Sequence, residues 1–412
     1  MTTDTRVDYK SGLSSRDEML FRFSIFLLGR IVRDSEVTVT CRATGQVLTA
    51  GRPGKEKFSM IVDEPRTLWG IVTNPDPGAG EMFMAHRWEM ENGDIGAFIT
   101  MMARNLQAAL NGPIGFFLSP LLHKKLQVRS RDLARSKDYI EHHYDIGNDL
   151  YEAFLDEGMN YSCAFFMDGH KTLREAQLNK IRIVIARLGI KPGMRVLDIG
   201  CGWGEACRVA AETGAASVTG VTLSASQLRV AVENAESMKQ PPVYLLEDYR
   251  QHAATHESHY DRIFSIGMFE HVGEDQYRTY FSAIRRQLAP GGRALIHSIV
   301  NAATKPGLAL NSPWLETYIF PGGRIPDLPE LLEAARLEGL RLAHEPYLQP
   351  PSDYAETLRR WRANFMQNMR TLDPARYDDR FRRMWIYYFA LCEAMFDGCG
   401  FQVGHFVFEK AV

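Results

Sequence analysis

The segment Arg195-Val-Leu-Asp-Ile-Gly-Cys-Gly-Trp-Gly204 constrains the fold of this chain more than any other. A short apolar run ends in glycines at alternate positions, Gly200, Gly202 and Gly204, and then passes into helix-forming sequence. That is the strand–turn–helix opening of a doubly wound α/β domain. Glycine lets a ligand approach the backbone closely, and the turn lies at the carboxyl ends of the strands, where such sheets bind their ligands. The spacing alone is a modest signal for a nucleotide-like ligand. It lacks the last glycine of the dinucleotide fingerprint GxGxxG, so the residues downstream decide which ligand is meant.

From residue 190 onward the chain keeps a strand–helix–strand rhythm. Strands are expected at Arg195–Gly200, Ser217–Leu223, Val243–Glu247, Asp261–Gly267 and Arg293–Val300, with two more near Leu340–Leu348 and Phe401–Phe408. Helical patterns such as Ser224–Ser237 and Gln276–Leu288 lie between them, the latter stopped by Pro290-Gly-Gly292. Seven strands, with a last pair separated by helices and closing the chain, is the arrangement of class I methyltransferases. The expected class is therefore α/β, a Rossmann-like seven-stranded sheet, over residues 141–412.

Ahead of it, residues 1–110 read as a small α+β domain. Residues 1–18 are polar and expected to be poorly ordered. An apolar helix candidate follows, then the alternating runs Val37–Arg42 and Phe58–Val62, with turn signals at Thr44-Gly45 and Arg52-Pro-Gly54. Residues 111–140 form a connector in which Pro113–Leu122 precedes Lys124, Lys125, Arg129, Arg131, Arg135 and Lys137. It reads either as a packed helix with a solvated basic face or as a patch for an anionic membrane surface.

Composition narrows the function classes. The 412 residues leave room for two domains, and a net charge of −2 supplies no global field for nucleic acid. The six cysteines form no CxxC pair and no metal-like spacing with histidine, so no metal is expected. Without a secretory leader, they are expected to be reduced thiols in a cytosolic protein. Apolar runs such as Phe23–Leu28 and Ile114–Leu122 are too short to span a bilayer. A soluble protein that can still touch a membrane is expected.

Several strand ends favour S-adenosylmethionine (SAM) over a dinucleotide. The second strand ends in Val221-Thr-Leu-Ser-Ala-Ser-Gln227, without the acid that usually holds a ribose, so Thr222 and Gln227 would supply that hydrogen bonding. The third ends in Glu247-Asp248-Tyr249, where an acid can bond an adenine amino group beside an aromatic face. Each has an ordinary alternative: Asp248 as a loop cap, Gln227 as a surface helix residue.

With these residues in view, the chain resembles the cyclopropane-fatty-acyl-phospholipid synthase family, which includes the mycolic acid cyclopropane synthases and methyltransferases. The resemblance rests on His143-Tyr-Asp-Ile-Gly-Asn148, Met159–Phe166, Val196–Gly204, Thr219–Ser224, Ser265-Ile-Gly-Met-Phe-Glu-His-Val-Gly273, His297-Ser-Ile299, Tyr318–Gly323 and Asp353-Tyr354. It covers about residues 140–410. The amino-terminal module also resembles the extra lipid-binding domain of the phospholipid-acting members. It implies methyl transfer from SAM to an acyl double bond, a carbocation, and ring closure when a bound bicarbonate removes a proton.

Carried over residue by residue, the bicarbonate ligands would be Cys163, Glu270, His297, Ile299 and Tyr354, with Cys163 and Ile299 acting through main-chain groups. Tyr144, Tyr161 and Ser162 would belong to a segment that closes over the cofactor. Gly200, Gly202, Thr222, Leu223, Gln227, Asp248 and Tyr249 would contact it. Trp314, Tyr318, Phe320 and Trp361 are candidates for an acyl channel. Read alone, Cys163 is a small core residue, Glu270 a helix N-terminal acid, His297 a core histidine and Tyr354 a packing residue. Glu205 and Cys207 depart from the small or apolar residues expected after the glycine run.

The leading expectation is a cyclopropane synthase acting on unsaturated acyl chains of membrane phospholipids. It would be cytoplasmic, peripheral to the inner face of the membrane, and a homodimer by family. In the same site, loss of a different proton would give methyl-branched or methylated-olefin lipids, including furan-fatty-acid precursors. A small-amine N-methyltransferase would not need the amino-terminal domain. A non-catalytic lipid-binding protein on the same scaffold would bind no SAM.

Overall fold

The computed structural model describes residues 15–54, 56–110, 147–166, 169, 171–302, 312–321 and 323–410. Tyr144 and the basic connector residues Lys124, Lys125, Arg129, Arg131, Arg135 and Lys137 lie outside the described residues. The chain divides into two units.

In the first unit, period-2 alternation makes the strands. β1 (Ser35–Cys41) and β3 (Glu56–Val62) pair in parallel with Val37, Val39 and Cys41 opposite Phe58, Met60 and Val62, all six buried. With β2 (Val47–Gly51) and β4 (Trp88–Asn92) they give a sheet of order β2-β1-β3-β4. The β1–β2 turn closes where Gly45, at φ +66°, donates to the Cys41 carbonyl. Helix α1 (Ser15–Ile31) buries Phe21, Ser24, Ile25 and Leu28, a stripe at helical spacing. It begins inside the span expected to be disordered. Helices α2 (Pro65–Thr73), α3 (Gly78–Met84) and α4 (Ile95–Leu110) complete the amino-terminal part.

In the second unit, short helices and parallel strands alternate after α5 (Asn148–Glu152): α6 (Leu173–Leu188), β5 (Arg195–Ile199), α7 (Glu205–Ala211), β6 (Ser217–Thr222), α8 (Ala225–Glu233), β7 (Val243–Leu246), α9 (Tyr249–Thr255), β8 (Tyr260–Ile266), α10 (Tyr277–Gln287) and β9 (Leu288–Asn301). There follow α11 (Pro313–Tyr318), α12 (Leu328–Leu337), β10 (Leu340–Leu342), β11 (Tyr347–Gln349), α13 (Pro351–Asn368), α14 (Asp379–Cys399) and β12 (Phe401–Lys410). The strands form one sheet in the order β10-β12-β9-β8-β5-β6-β7, with β11 also on β12. β5 to β9 run parallel where they pair, and β12 returns antiparallel to β9.

Three boundaries differ from the sequence expectation, each for a physical reason. The strand expected at Leu340–Leu348 is two, β10 and β11, so the sheet has eight strands rather than seven. Pro346 between them has no N–H to give to a ladder. Pro290-Gly-Gly292 does not end the helix; α10 already stops at Gln287. The motif lies within β9, where pairing with β8 jumps from Tyr260↔Leu288 to Arg262↔Arg293, a bulge that absorbs the extra residues. Finally, residues 312–319 and Asp373–Cys399, which sequence order alone assigns to the catalytic region, group with the first unit. There α14 packs along α4, and the Arg104 guanidinium donates to the Asp397 carbonyl.

Both faces of the large sheet are covered, as parallel strands require. On one face Ile263, Ala294, Ile296 and Phe406 meet Tyr280, Phe281 and Ile284 of α10. On the other, Val196, Phe264, Leu295 and Val407 meet Ile181, Val184, Ile185 and Leu188 of α6. Ile263→Ala, in the middle of this sheet, is expected to cost about 2–5 kcal/mol, read as a lower urea midpoint. A loss under about 1 kcal/mol would show that this layer does not hold the unit together.

Candidate active site

Parallel strands leave their last backbone groups unpaired at the carboxyl edge, and the residues that follow them shape a cleft there. It has a volume of about 890 Å³ and is bordered by the residues that end or follow β5, β6, β7 and β8. Of the residues expected to touch the cofactor, Tyr161, Ser162, Gly200, Gly202, Thr222, Leu223, Gln227, Asp248 and Tyr249 all border it. Gly202 has φ +52°, and a Cβ built on it would meet no protein atom within 4 Å. The space beside it belongs to the cleft.

Local bonds set the chemistry of each wall. The Thr222 hydroxyl donates to Gln227 Oε1 at 3.0 Å, which leaves the Gln227 amide N–H₂ without a partner among the described residues. Asp248 stands between the cleft and α9. It faces the cleft, and it caps α9, accepting from Arg250 N at 2.8 Å and pairing with the Arg250 guanidinium at 2.7 Å. Tyr161 stands in an aromatic cluster, 5.3 Å from both Tyr151 and Trp361 and 5.8 Å from Phe154.

The residues expected to hold an anion fall in two groups. In the first, Glu270 follows β8 in a single 3₁₀ turn, and its Oε1 accepts the Ile299 N–H at 2.7 Å. Its Oε2 is buried with no partner among the described residues. Burial pushes the carboxyl up to about 7 even though the Ile299 N–H pulls the other way. His297 shares a face of β9 with Ile299, and its carbonyl accepts from Gly267 N at the end of β8. Both its ring nitrogens are buried and unpartnered among the described residues. Burial, with Lys180 adding to it, drives the ring down to about 3, so it is neutral in use.

In the second group, Cys163 is tied to α13. Gln349 Nε2 donates to Cys163 Sγ at 3.4 Å, to the Ala164 carbonyl at 2.7 Å and to Asp353 at 2.8 Å. Burial pushes the Cys163 thiol well above its ordinary value, which rules it out as a ready nucleophile. Tyr354 follows Asp353 on α13, its ring 6.2 Å from Trp361. Of the aromatic candidates, Trp361 is in this unit and Phe320 lies 6.0 Å from His271. Trp314 and Tyr318 group with the first unit: Trp314 is buried 4.8 Å from Tyr387, and Tyr318 is half-buried, its hydroxyl donating to Glu81 at 3.2 Å.

Sequence reasoning missed four participants. His405 on β12 faces His297 with ring centroids 4.9 Å apart, and burial keeps it neutral too. Arg174 bonds both Asp156 and Glu205, at 2.9 and 2.6 Å. Lys180 borders the cleft. Gln177 donates to the Ser162 carbonyl at 2.8 Å. The signal for the last two was present: both sit on the buried stripe of α6, where only apolar residues belong unless partnered.

Glu270 gives a pH prediction whose sign follows from burial. Its folded value near 7 exceeds the ordinary 4.5, so the folded state holds the proton more tightly and Glu270 costs stability as pH rises through that window. Glu270→Gln, which keeps an oxygen for the Ile299 N–H, is expected to be more stable than the parent at pH 8 and about equal at pH 4. Urea denaturation at both values checks this; a parent more stable at pH 8 would contradict it.

Comparison with known proteins identifies the family. The family model described as "Mycolic acid cyclopropane synthetase" matches residues 131–406. The cyclopropane-fatty-acyl-phospholipid synthase of Escherichia coli K12 is 34% identical over 365 residues, 87% of this chain and 90% of that protein. The tuberculostearic acid methyltransferase UfaA1 of Mycobacterium tuberculosis is 35% identical over 80% of this chain and 76% of that protein. The crystal structure of mycolic acid cyclopropane synthase CmaA1 with SAH and CTAB superposes with a TM-score of 0.60 at 31% identity, covering 66% of this chain and 98% of that one. The fold is that of the class I methyltransferases, and the chain is a SAM-dependent methyltransferase. This chain belongs to the mycolic acid cyclopropane synthetase family.

Proposed function

We propose that the protein transfers the methyl group of SAM to the double bond of unsaturated acyl chains in membrane phospholipids and closes a cyclopropane ring, with enzyme-held bicarbonate as the base. The observation that carries this reading is two buried polar groups where strands end: Glu270 Oε2 in the turn after β8 and the His297 ring on β9, both unpartnered among the described residues. Buried polar atoms are nearly always satisfied, so two left open point to a bound group. A phospholipid substrate is favoured because similarity to the E. coli phospholipid synthase covers 87% of the chain, while the mycolic family model begins at residue 131. Among the described residues no helix is long and apolar enough to cross a membrane, so the acyl chain would be reached from the membrane surface.

The walls fit SAM. Gly202 leaves room against the backbone, Gln227 offers its amide to a ribose hydroxyl, and Asp248 with Tyr249 would receive the adenine. Gly200, Thr222 and Leu223 would line its path, with Tyr161 and Ser162 over it; Tyr144 would join them from outside the described residues. SAM when bound supplies the electrophilic methyl group. An alkene is a weak nucleophile, so the chain's contribution is alignment in a dry pocket. The Tyr161–Trp361–Phe154 cluster offers aromatic faces to the carbocation.

Bicarbonate when bound supplies the oxygen that takes the proton from the new methyl group. Glu270 Oε2, His297 and Tyr354 would hold it, with main-chain help from Cys163. Ile299 would act through Glu270, which already takes its N–H. A neutral His297 can donate one hydrogen bond to the anion without transferring its own proton.

Three expectations test the reading. Incubation with SAM and mono-unsaturated phospholipid vesicles should add one CH₂ to the lipid by mass spectrometry, with loss of olefin and gain of high-field cyclopropane protons in NMR. The same mass gain with the olefin retained, or a methyl branch, would move the enzyme to the alternative chemistry; no gain would overturn the substrate. Glu270→Gln should lower turnover by about 10²-fold or more with S-adenosylhomocysteine (SAH) affinity little changed. Gly202→Ala should weaken SAH at least about tenfold with only a modest loss of melting temperature; unchanged affinity would misplace the cofactor.

A further inference from the structure

Lys180 sits in the middle of α6 on its buried face, at 1% exposure. Taking an ammonium out of water costs several kcal/mol, so a lysine here needs a reason. Burial lowers its pKa to about 8, against the opposing pull of Asp156, Cys163, Glu205 and Asp198. At neutral pH most molecules still carry the proton. Its hydrogen bond among the described residues goes to a neutral group, the Ser162 hydroxyl, at 2.7 Å. An ammonium has three donors, so two remain, and the residue borders the cleft.

Asp156 and Glu205 are engaged by other groups, and Asp198 is engaged through one oxygen only. Glu205 accepts from both Arg174 nitrogens at 2.6 Å and from Asn160 at 2.5 Å, with Arg208 3.5 Å away. Asp156 accepts from Arg174 at 2.9 Å and from the Asn160 main chain at 2.9 Å. Asp198 receives the Cys207 thiol at 3.4 Å, and burial pushes it up to about 7. Lys180, Arg174 and Arg208 stand among Asp156, Glu205 and Asp198, and of the three cations Lys180 is the one that borders the cleft.

Position along the cleft says what that charge meets. Thr222, Gln227, Asp248 and Tyr249 lie toward β6 and β7, at one edge of the sheet. Lys180 and Ser162 lie on the α6 side, beyond β5. With the nucleoside of SAM at the first end, as read above, its amino-acid end falls at the second. We propose that Lys180 is the positioning residue for that end: its ammonium orients the Ser162 hydroxyl and supplies the positive charge that receives the α-carboxylate of SAM. This rests on the cleft being the SAM site.

The test compares two ligands that differ only in the amino-acid end. SAH carries it; 5′-methylthioadenosine has the same thioether nucleoside without it. By isothermal titration, Lys180→Met and Lys180→Gln should each raise the SAH Kd about 10- to 100-fold while leaving methylthioadenosine within about twofold. In turnover, KM for SAM should rise with kcat little changed, and Lys180→Arg should recover part of the loss. Equal weakening of both ligands would make Lys180 merely structural, and an unchanged SAH Kd would make it irrelevant; either overturns the proposal. Should the variants fail to fold, the wild-type protein decides: decarboxylated SAH must bind about tenfold or more weakly than SAH, and equal affinity overturns the proposal. A wild-type protein that binds neither SAH nor methylthioadenosine would instead overturn the SAM reading itself, and this inference with it.

Discussion

A polar atom taken out of water has to find a partner, and the second unit gathers a dense set of such atoms at the carboxyl edge of its sheet. Glu270, His297, His405, Asp198, Lys180 and Cys163 are titratable side chains there, and burial shifts each of them toward its uncharged form. Elsewhere in this sheet the faces are closed by apolar side chains from α6 and α10. The site therefore exists only because two dry faces enclose a polar edge. Its charges are set by which partners that edge supplies.

The two ends of that edge are tuned in opposite ways. Toward α6, Lys180 brings its ammonium to the cleft, while Arg174 and Arg208 pair with Glu205. Toward β9 the rings of His297 and His405 are held neutral, and Glu270 shares its carboxylate with a main-chain N–H. The first end offers an ammonium, and the second offers hydrogen-bonding groups without a strong fixed cation; the proposed reaction, an ionic cofactor beside an alkene, would use that separation.

Much of this was legible in the sequence because it is local. The glycine turn, the apolar strands and the residues that follow them carry their geometry in short segments, and every described residue assigned to the cofactor borders the cleft. What was not legible depends on partners far along the chain. The break at Pro346 hides in an apolar stretch, and Pro290-Gly-Gly292 reads as a stop until its strand partner shows that it is a bulge. That Trp314 and Tyr318 group with the amino-terminal helices shows only once α14 is seen to pack along α4. Lys180 is visible as a polar residue on an apolar stripe, but nothing local names Ser162 as its partner. His405 depends on the register of the last antiparallel pair, which no periodicity supplies.

The central claim is that the unpartnered Glu270 and His297 atoms hold a small anion beside bound cofactor. The crystal structure of the protein with SAH and bicarbonate tests it most directly. The account predicts SAH in the cleft and a planar trigonal anion bonded to Glu270 Oε2 and the His297 ring. SAH bound with those two side chains satisfied by water or by each other, and no anion between them, would contradict it.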